Sequence, residues 1–205
     1  MSAFAKWIAT EVQEWEAACA LVFVVALQVL LAILSKQRHW ELWTLPWWIW
    51  LVLIGPELAL LAFLWTSDDP RGEFTLSLVM GTVNALALTA LIGSVVGSYE
   101  HSGGQLLLKG VTVWATNVTA FGLAFWELFP KWGQQFRFPQ QEEPGSDWKP
   151  TFFDYFYVSF TNSIAFSPTD AMPLTRRAKL LMMAESAVSA VTVLLVAARA
   201  VNIFN

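Results

Sequence analysis

Glu57 and Glu185 carry carboxyl groups inside apolar runs of this sequence, and such groups could do chemistry. Glu57 follows the turn-forming pair Gly55-Pro56, and Glu185 lies within the last apolar run. An ionisable side chain at membrane depth is costly and is therefore a candidate functional residue by default. Both glutamates are candidate sites, and the elements around them must explain how they are positioned.

For Glu57 the sequence leaves several interpretations open. Its carboxyl group can carry a proton, pair with Lys109 or Arg199, bind an ion, or form a structural hydrogen bond at the turn that the proline creates. Asn84 and Asn117 also lie in apolar runs, where an amide typically bonds to a neighbouring helix. A transporter would combine Glu57 with one of these amides.

Glu185 shares a helical stripe with Ser189, Thr192, Val196 and Arg199, which follow it by 4, 7, 11 and 14 residues. One interpretation is a polar face that lines a pore or contacts another subunit. The other is that the hydroxyl groups bond to their own helix, while Glu185 braces a neighbouring helix. For Glu185 we favour the brace, because a lone carboxyl group in a membrane needs fixed partners.

A polar stretch from Thr161 to Asp170 is the third candidate site. It follows the aromatic segment 151–160, which is too short to span a bilayer and predicts a re-entrant or buried helix that ends near Thr161. Thr151 would cap this helix, and Asp154 would suit its first turn. Irregular backbone at membrane depth is tolerated only where it is buried in protein or lines a water-filled cavity. The stretch therefore predicts a re-entrant loop beside a pore.

The composition predicts an integral membrane protein. Of the 205 residues, 56% are hydrophobic and only 14% are charged, whereas soluble domains carry about 25% charged residues. The net charge of −4 gives no basic surface for nucleic acid. The single cysteine, Cys19, and the isolated His39 and His101 offer no metal cluster. We therefore expect no metal or cofactor, and without a nucleophile–base pair we expect no enzyme.

The predicted fold is an all-α membrane protein with five transmembrane helices plus one re-entrant pore helix and a filter-like loop. A spanning helix needs about 20 apolar residues. The predicted spans cover 17–34, 45–65, 74–96, 106–129 and 175–204. An interfacial amphipathic helix is predicted over 1–15, and an ordered or semi-ordered loop over 130–150. Region 1–105 would hold the first three spans, and region 106–205 the pore module.

The loops predict an orientation. The loop with Lys36 and Arg38 is the most basic short connection and should be cytoplasmic. This assignment places the N-terminus and the loop 131–149 outside and the C-terminus in the cytoplasm. The polar stretch would then be entered from the outer side.

Residues 150–203 resemble the pore-loop region of tetrameric potassium channels, especially small bacterial membrane proteins with such a pore at their C-terminal end. In that family an aromatic pore helix leads into Thr-Val-Gly-Tyr-Gly-Asp, then x-x-Pro-x-Thr and the inner helix. Here the run from Asp170 to Thr175 matches Asp-x-x-Pro-x-Thr, after the insertion Pro168-Thr169. The five filter positions are taken, in order, by Ser163, Ile164, Ala165, Phe166 and Ser167.

The resemblance implies roles for these residues. The residues from Thr161 to Ser167, Asn162 included, would line the narrow part of a pore, and Asp170 would brace the loop. The stripe that begins at Glu185 would line the inner cavity. The family's two filter glycines are replaced by Ala165 and Ser167. Because glycine is the usual residue for left-handed backbone geometry, rings of backbone carbonyls that select potassium are not expected.

The leading functional hypothesis is a pore-loop ion channel of the bacterial inner membrane that is not potassium-selective. It would be a homo-oligomer, with a tetramer favoured, and its partners would be membrane lipid, inorganic ions and copies of itself. The alternative is a non-conducting scaffold or accessory subunit, in which Phe166 and Pro168 plug the axis. A third hypothesis is a proton-coupled transporter that uses Glu57.

Overall fold

The structure is a computed structural model that describes residues 3–39, 48, 52, 54–66, 70–96, 103–165, 167 and 171–203. Helices account for most of these residues, as the sequence predicts. The helices are α1 (Ala3–Arg38), α2 (Gly55–Thr66), α3 (Pro70–Val96), α4 (Gly103–Trp132), α5 (Phe152–Ala165) and α6 (Arg176–Ile203). A short antiparallel pair joins β1 (Phe136–Arg137) to β2 (Met172–Pro173), and a 3-10 turn covers Pro139–Gln141.

Four of these helices are long and apolar enough to cross a membrane. The segments are Glu14–Arg38, Phe74–Gly93, Gly103–Leu128 and Arg176–Ala198. The protein is therefore membrane-embedded, and these segments coincide with the first, third, fourth and fifth predicted spans. Helix α2 forms the second half of the remaining predicted span, 45–65, and most of the first half lies outside the described residues.

The predicted boundary between an interfacial helix and the first span is wrong. Helix α1 runs from Ala3 to Arg38 without a break. No glycine or proline occurs in this stretch, so nothing in its backbone chemistry ends the helix before the span begins.

Helix α4 lies at the centre of the molecule. Within its span 78% of the residues are buried, against 22% in α6, so α4 forms the core and α6 lies at the surface of the single chain. Glycines allow close contact: a Cβ at Gly122 would lie 3.2 Å from the Phe156 Cα in α5, and one at Gly110 would lie 2.4 Å from Val196 in α6. A side chain at Gly110 would force Val196 to move, and one at Gly122 would need a small shift of Phe156.

The connection after α4 is ordered, in agreement with the loop predicted over 130–150. Phe136 and Phe138 are buried against Tyr155, with ring centroids 6.0 and 5.5 Å from the tyrosine ring. In the strand pair, Phe136 lies opposite Pro173. The segment therefore connects the end of α4 to the starts of α5 and α6.

Helices α5 and α6 run in the same direction, away from the strand pair. Tyr155 in the first turns of α5 packs on Phe138, and Arg177 at the start of α6 lies 4.5 Å from the ring of Trp132 at the end of α4. Further along both helices, Asn162 of α5 donates a hydrogen bond to the Met182 carbonyl of α6. Residues Met172 and Pro173, shortly before α6, lie in the strand pair, opposite Arg137 and Phe136.

Candidate functional site

The start of α5 is capped as its sequence predicts. The backbone N–H and the hydroxyl group of Thr151 both donate to Asp154 Oδ2, over 2.6 and 2.9 Å. Both bonds run from Thr151 to the Asp154 carboxylate, which thus satisfies the Thr151 N–H that the helix itself leaves without a partner. Pro150 immediately before Thr151 prevents the helix from extending backward.

The predicted end of α5 near Thr161 is wrong, because the helix continues to Ala165. The polar side chains of this last part bond to their own helix: Thr161 donates to the Tyr157 carbonyl over 2.9 Å, and Ser163 to the Phe160 carbonyl over 2.8 Å. The residues from Thr161 to Ala165 are therefore helical and do not form an extended filter strand. Asn162 and Ser163 are buried, whereas Ile164 is 53% exposed.

Only part of the predicted filter lies after the helix. Ser167 is exposed, while Phe166 and Asp170 lie outside the described residues, so the roles expected of those two residues stay predictions. The large exposed side chains of α5 follow one face at helical spacing: Phe153, Tyr157, Phe160 and Ile164. This face, rather than an extended strand, is what α5 presents to its surroundings.

The carboxyl group of Glu185 is fully buried between α5 and α6. Ser159 and Asn162 of α5 both contact it: Asn162 Nδ2 donates to Glu185 Oε2 over 2.7 Å, and Ser159 Oγ forms a hydrogen bond with Glu185 Oε1. Ser186 donates to Asn162 Oδ1 over 3.2 Å. Both carboxyl oxygens thus have a partner, and the arrangement is the brace favoured for Glu185. We call these residues, with Asn117 and Ser189, the Glu185 network.

The hydrogen atoms of this network can be counted. Ser159 Oγ lies 2.7 Å from the Val118 carbonyl and also contacts Glu185 Oε1. A serine hydroxyl has one hydrogen, and a carbonyl only accepts. Both contacts are hydrogen bonds when the Glu185 carboxyl group is protonated and donates to Ser159 Oγ.

The stripe that begins at Glu185 faces the interior of the chain. Glu185, Ser189 and Thr192 are each at most 1% exposed. Asn117 of α4 donates to Ser189 Oγ over 2.9 Å and to the Glu185 carbonyl over 3.1 Å, and Thr192 bonds to the Val188 carbonyl of its own helix. The periodicity correctly predicts one shared face. That face packs on α4 and α5, so these residues do not line a cavity of the single chain. The side chain of Arg199 lies outside the described side chains.

Glu57 lies in a second buried polar cluster, between α1, α2, α3 and α4. It is 1% exposed, and Gln28 of α1 donates to its Oε1 over 2.7 Å. Asn84 of α3, which donates to the Val113 carbonyl over 3.0 Å, lines the same small void as these two residues, together with Thr112 and Thr116 of α4. We call these five residues the Glu57 cluster.

Sequence reasoning missed several partners of the two carboxyl groups. Gln28 and Thr116 meet Glu57 around the void, and Ser159 meets Glu185. Gln28 is the lone strongly polar residue of the predicted first span, which was a usable signal. Lys109, named as a possible partner of Glu57, is fully buried in α4 but does not line the void.

The described part of the chain contains no group of three or more histidine, cysteine or acidic residues that could hold a metal ion. Two polar centres are candidate sites. At Glu185 both carboxyl oxygens are bonded, although the buried Asn117 Oδ1 of that network has no partner, and at Glu57 one of the two carboxyl oxygens is bonded. Comparison with protein families, with curated proteins and with solved structures finds no match to this chain.

Proposed function

We propose that this protein is a pore-loop channel, in which copies of the chain surround a shared axis and the end of α5 borders the conducting path. One observation carries the proposal: α5 and α6 run parallel, with only residues 166–175 between them. The 14 residues of α5 extend about 21 Å, whereas a bilayer core is about 30 Å thick. A short helix that enters, followed by a chain that returns, is the arrangement that a pore loop requires.

The polarity of α5 supports a path for cations. The C-terminal end of a helix carries roughly half a negative charge, and α5 directs this end away from the strand pair. Ile164 and Ser167 at this end are exposed in the single chain. In an assembly, they are the described residues that would border the axis.

The proposed constriction differs from the one that the resemblance implies. Because Thr161–Ala165 are helical, an extended filter strand could begin only at Phe166, and no glycine occurs between Phe166 and Thr175. Selection by stacked rings of backbone carbonyls needs an extended backbone aimed at the axis. We therefore propose conduction of inorganic ions without potassium selectivity.

Assembly follows from the exposed surfaces and from the single α5 that each chain supplies. Large apolar side chains cover the outer face of α6, where Leu180, Met183 and Leu194 are each more than 60% exposed. This face would contact lipid and neighbouring copies. By resemblance to the tetrameric channels we propose a homotetramer in the bacterial inner membrane, with the N-terminus outside and the C-terminus cytoplasmic.

Salt flux through liposomes tests the proposal. The chain has one cysteine, Cys19, so Cys19→Ser provides a background for Ile164→Cys. A charged thiol reagent on Ile164→Cys should change the flux several-fold, because it places a charge beside the path. The control is Val22→Cys on α1, whose side chain is 56% exposed, against 53% for Ile164; modification there should leave flux unchanged. Absence of flux under every salt gradient would refute the channel.

The alternative is a non-conducting scaffold, which one observation favours. Glu185, Ser189 and Thr192 are buried inside the single chain. The described outer face of α6 therefore offers no polar stripe that could line a water-filled cavity. A stable oligomer without any salt flux would support the scaffold. Proton-coupled uptake that Glu57→Gln abolishes and Ile164→Cys leaves intact would instead support the transporter hypothesis.

A further inference from the structure

The Glu57 cluster contains side-chain oxygens that have no partner although they are buried. Glu57 Oε2, Gln28 Oε1 and Thr116 Oγ1 form no hydrogen bond and are inaccessible to solvent. Leaving a buried polar atom unsatisfied usually destabilises a fold by about 1–3 kcal/mol. Three such atoms on three helices, all from residues around one void, indicate an occupant that bonds to them.

The void between these residues is large enough for one particle of about the size of a water molecule. Its volume is about 10 Å³, close to the lower limit for holding a single water-sized particle. The other two polar residues around it, Asn84 and Thr112, are held in place by their own hydrogen bonds to the Val113 and Leu108 carbonyls. The cluster is therefore preorganised, and its unsatisfied atoms are all potential acceptors.

The donor set determines the chemical class of the occupant. It combines one carboxylate with neutral amide and hydroxyl oxygens, and it contains no nitrogen or sulfur ligand that a transition metal would prefer. Oxygen ligands suit hard cations, and a single formal negative charge balances a monovalent ion. Among the described residues around the void, Glu57 is the only charged one. Lys109, one turn before Thr112 in α4, is the nearest cation along that helix, and it does not reach the void.

We propose that the Glu57 cluster is a binding site for one dehydrated Na⁺ ion, held by Glu57 Oε2, Gln28 Oε1 and Thr116 Oγ1. The ion ties α1, α2 and α4 together and so adds to the bond that Gln28 of α1 donates to Glu57 of α2. The site is separate from the end of α5, so it does not depend on whether the protein conducts ions. K⁺ is larger than Na⁺, and because the void is at the lower limit for a water-sized particle, K⁺ should bind more weakly than Na⁺.

Thermal unfolding of the full chain in detergent tests the site, with the emission of its 12 tryptophans as the signal. Replacing choline chloride by an equal concentration of NaCl should raise the Tm by about 5 °C, because a ligand that binds only the folded state stabilises it. KCl should give a much smaller rise. A Tm that is the same in all three salts would overturn the proposal and leave water as the occupant.

Variants locate the effect. Glu57→Gln should abolish the Na⁺-dependent rise in Tm. Thr116→Val removes one ligand at nearly constant shape, so it should lower the affinity for Na⁺ at least tenfold and make the rise smaller. Thr116→Val also serves if Glu57→Gln fails to fold. The control is Glu142→Gln, because Glu142 is exposed and pairs with Arg137 over 3.0 Å; it should keep the full rise. A rise that survives both cluster variants would place the bound ion elsewhere and refute the site.

Discussion

Glu57 and Glu185 are both buried against the same central helix, but their carboxyl groups are bonded differently. At Glu185 both carboxyl oxygens have partners, supplied by Ser159 and Asn162 of α5. At Glu57 one oxygen accepts a bond from Gln28, and the other has none and lies beside a void. Equal burial therefore does not imply an equal role. A carboxyl group whose two oxygens are both hydrogen-bonded holds helices together. A carboxyl group with an unbonded oxygen beside a void can bind an ion or a water molecule.

The difference follows from what each carboxyl group connects. Glu185 joins α6 to α5. Helix α5 is too short to span a bilayer, so contacts with other helices must hold it in place. The bonds of Glu185 to Ser159 and Asn162 hold α5 against α6, and so they position the last turns of α5. Glu57 lies two residues from the start of α2 and connects α2 to α1. Helix α2 has only 12 residues and is also short, but the Glu57 carboxyl group bonds to its neighbour through one oxygen, whereas Glu185 uses both.

The largest expected effect is from Glu185→Leu. This change leaves the Asn162 amide without one acceptor and removes the bond to Ser159, and it should destabilise the protein by about 3 kcal/mol. The Tm in detergent should fall by about 9 °C. The matched control is Glu185→Gln, whose amide can donate to Ser159 and whose oxygen can accept from Asn162, so the fall should be below about 3 °C. Equal falls for both variants would show that charge, rather than the bonding pattern, matters at this position.

A smaller effect is expected from Ser159→Ala, at about 1 kcal/mol. The variant removes the bonds to Val118 and Glu185 but leaves the bonds from Asn162 to Glu185 and to Met182. Combined with Glu185→Leu in a double-mutant cycle, the two losses should fall short of additive by about 1 kcal/mol, because both variants delete the same contact. Strict additivity of the Tm changes would mean that the two side chains do not act together.

Much of this architecture is predictable from the sequence, and the failures have physical causes. Apolar length predicts the spans, and Thr151 with Asp154 predicts the start of α5. The end of α5 is misplaced because Thr161 and Ser163 are polar without interrupting a helix, since their side chains bond back to the helix. Pro168 is the first residue after Thr151 that disfavours a helix.

The sequence also does not predict which residues from distant parts of the chain contact each other. Helical spacing places Glu185, Ser189 and Thr192 on one face, but it does not say whether the face meets water or a neighbouring helix. The structure shows that it meets Asn117 of α4. Glu57 and Gln28 are 29 residues apart, and no local pattern connects them. Both sites thus depend on contacts between helices that are distant in sequence.

The smallest expected effect, measured in choline chloride, is from Glu57→Leu. The variant removes one hydrogen bond, from Gln28, and the leucine side chain can fill part of the void beside it. We expect a loss of about 0.5–1 kcal/mol, or a Tm fall of about 2 °C, well below the effect of Glu185→Leu. The same pair of variants in NaCl sharpens the contrast, because only Glu57→Leu should lose the stabilisation that Na⁺ provides. A fall in choline as large as that of Glu185→Leu would make Glu57 a structural brace as well, and the distinction between the two carboxyl groups would then be wrong.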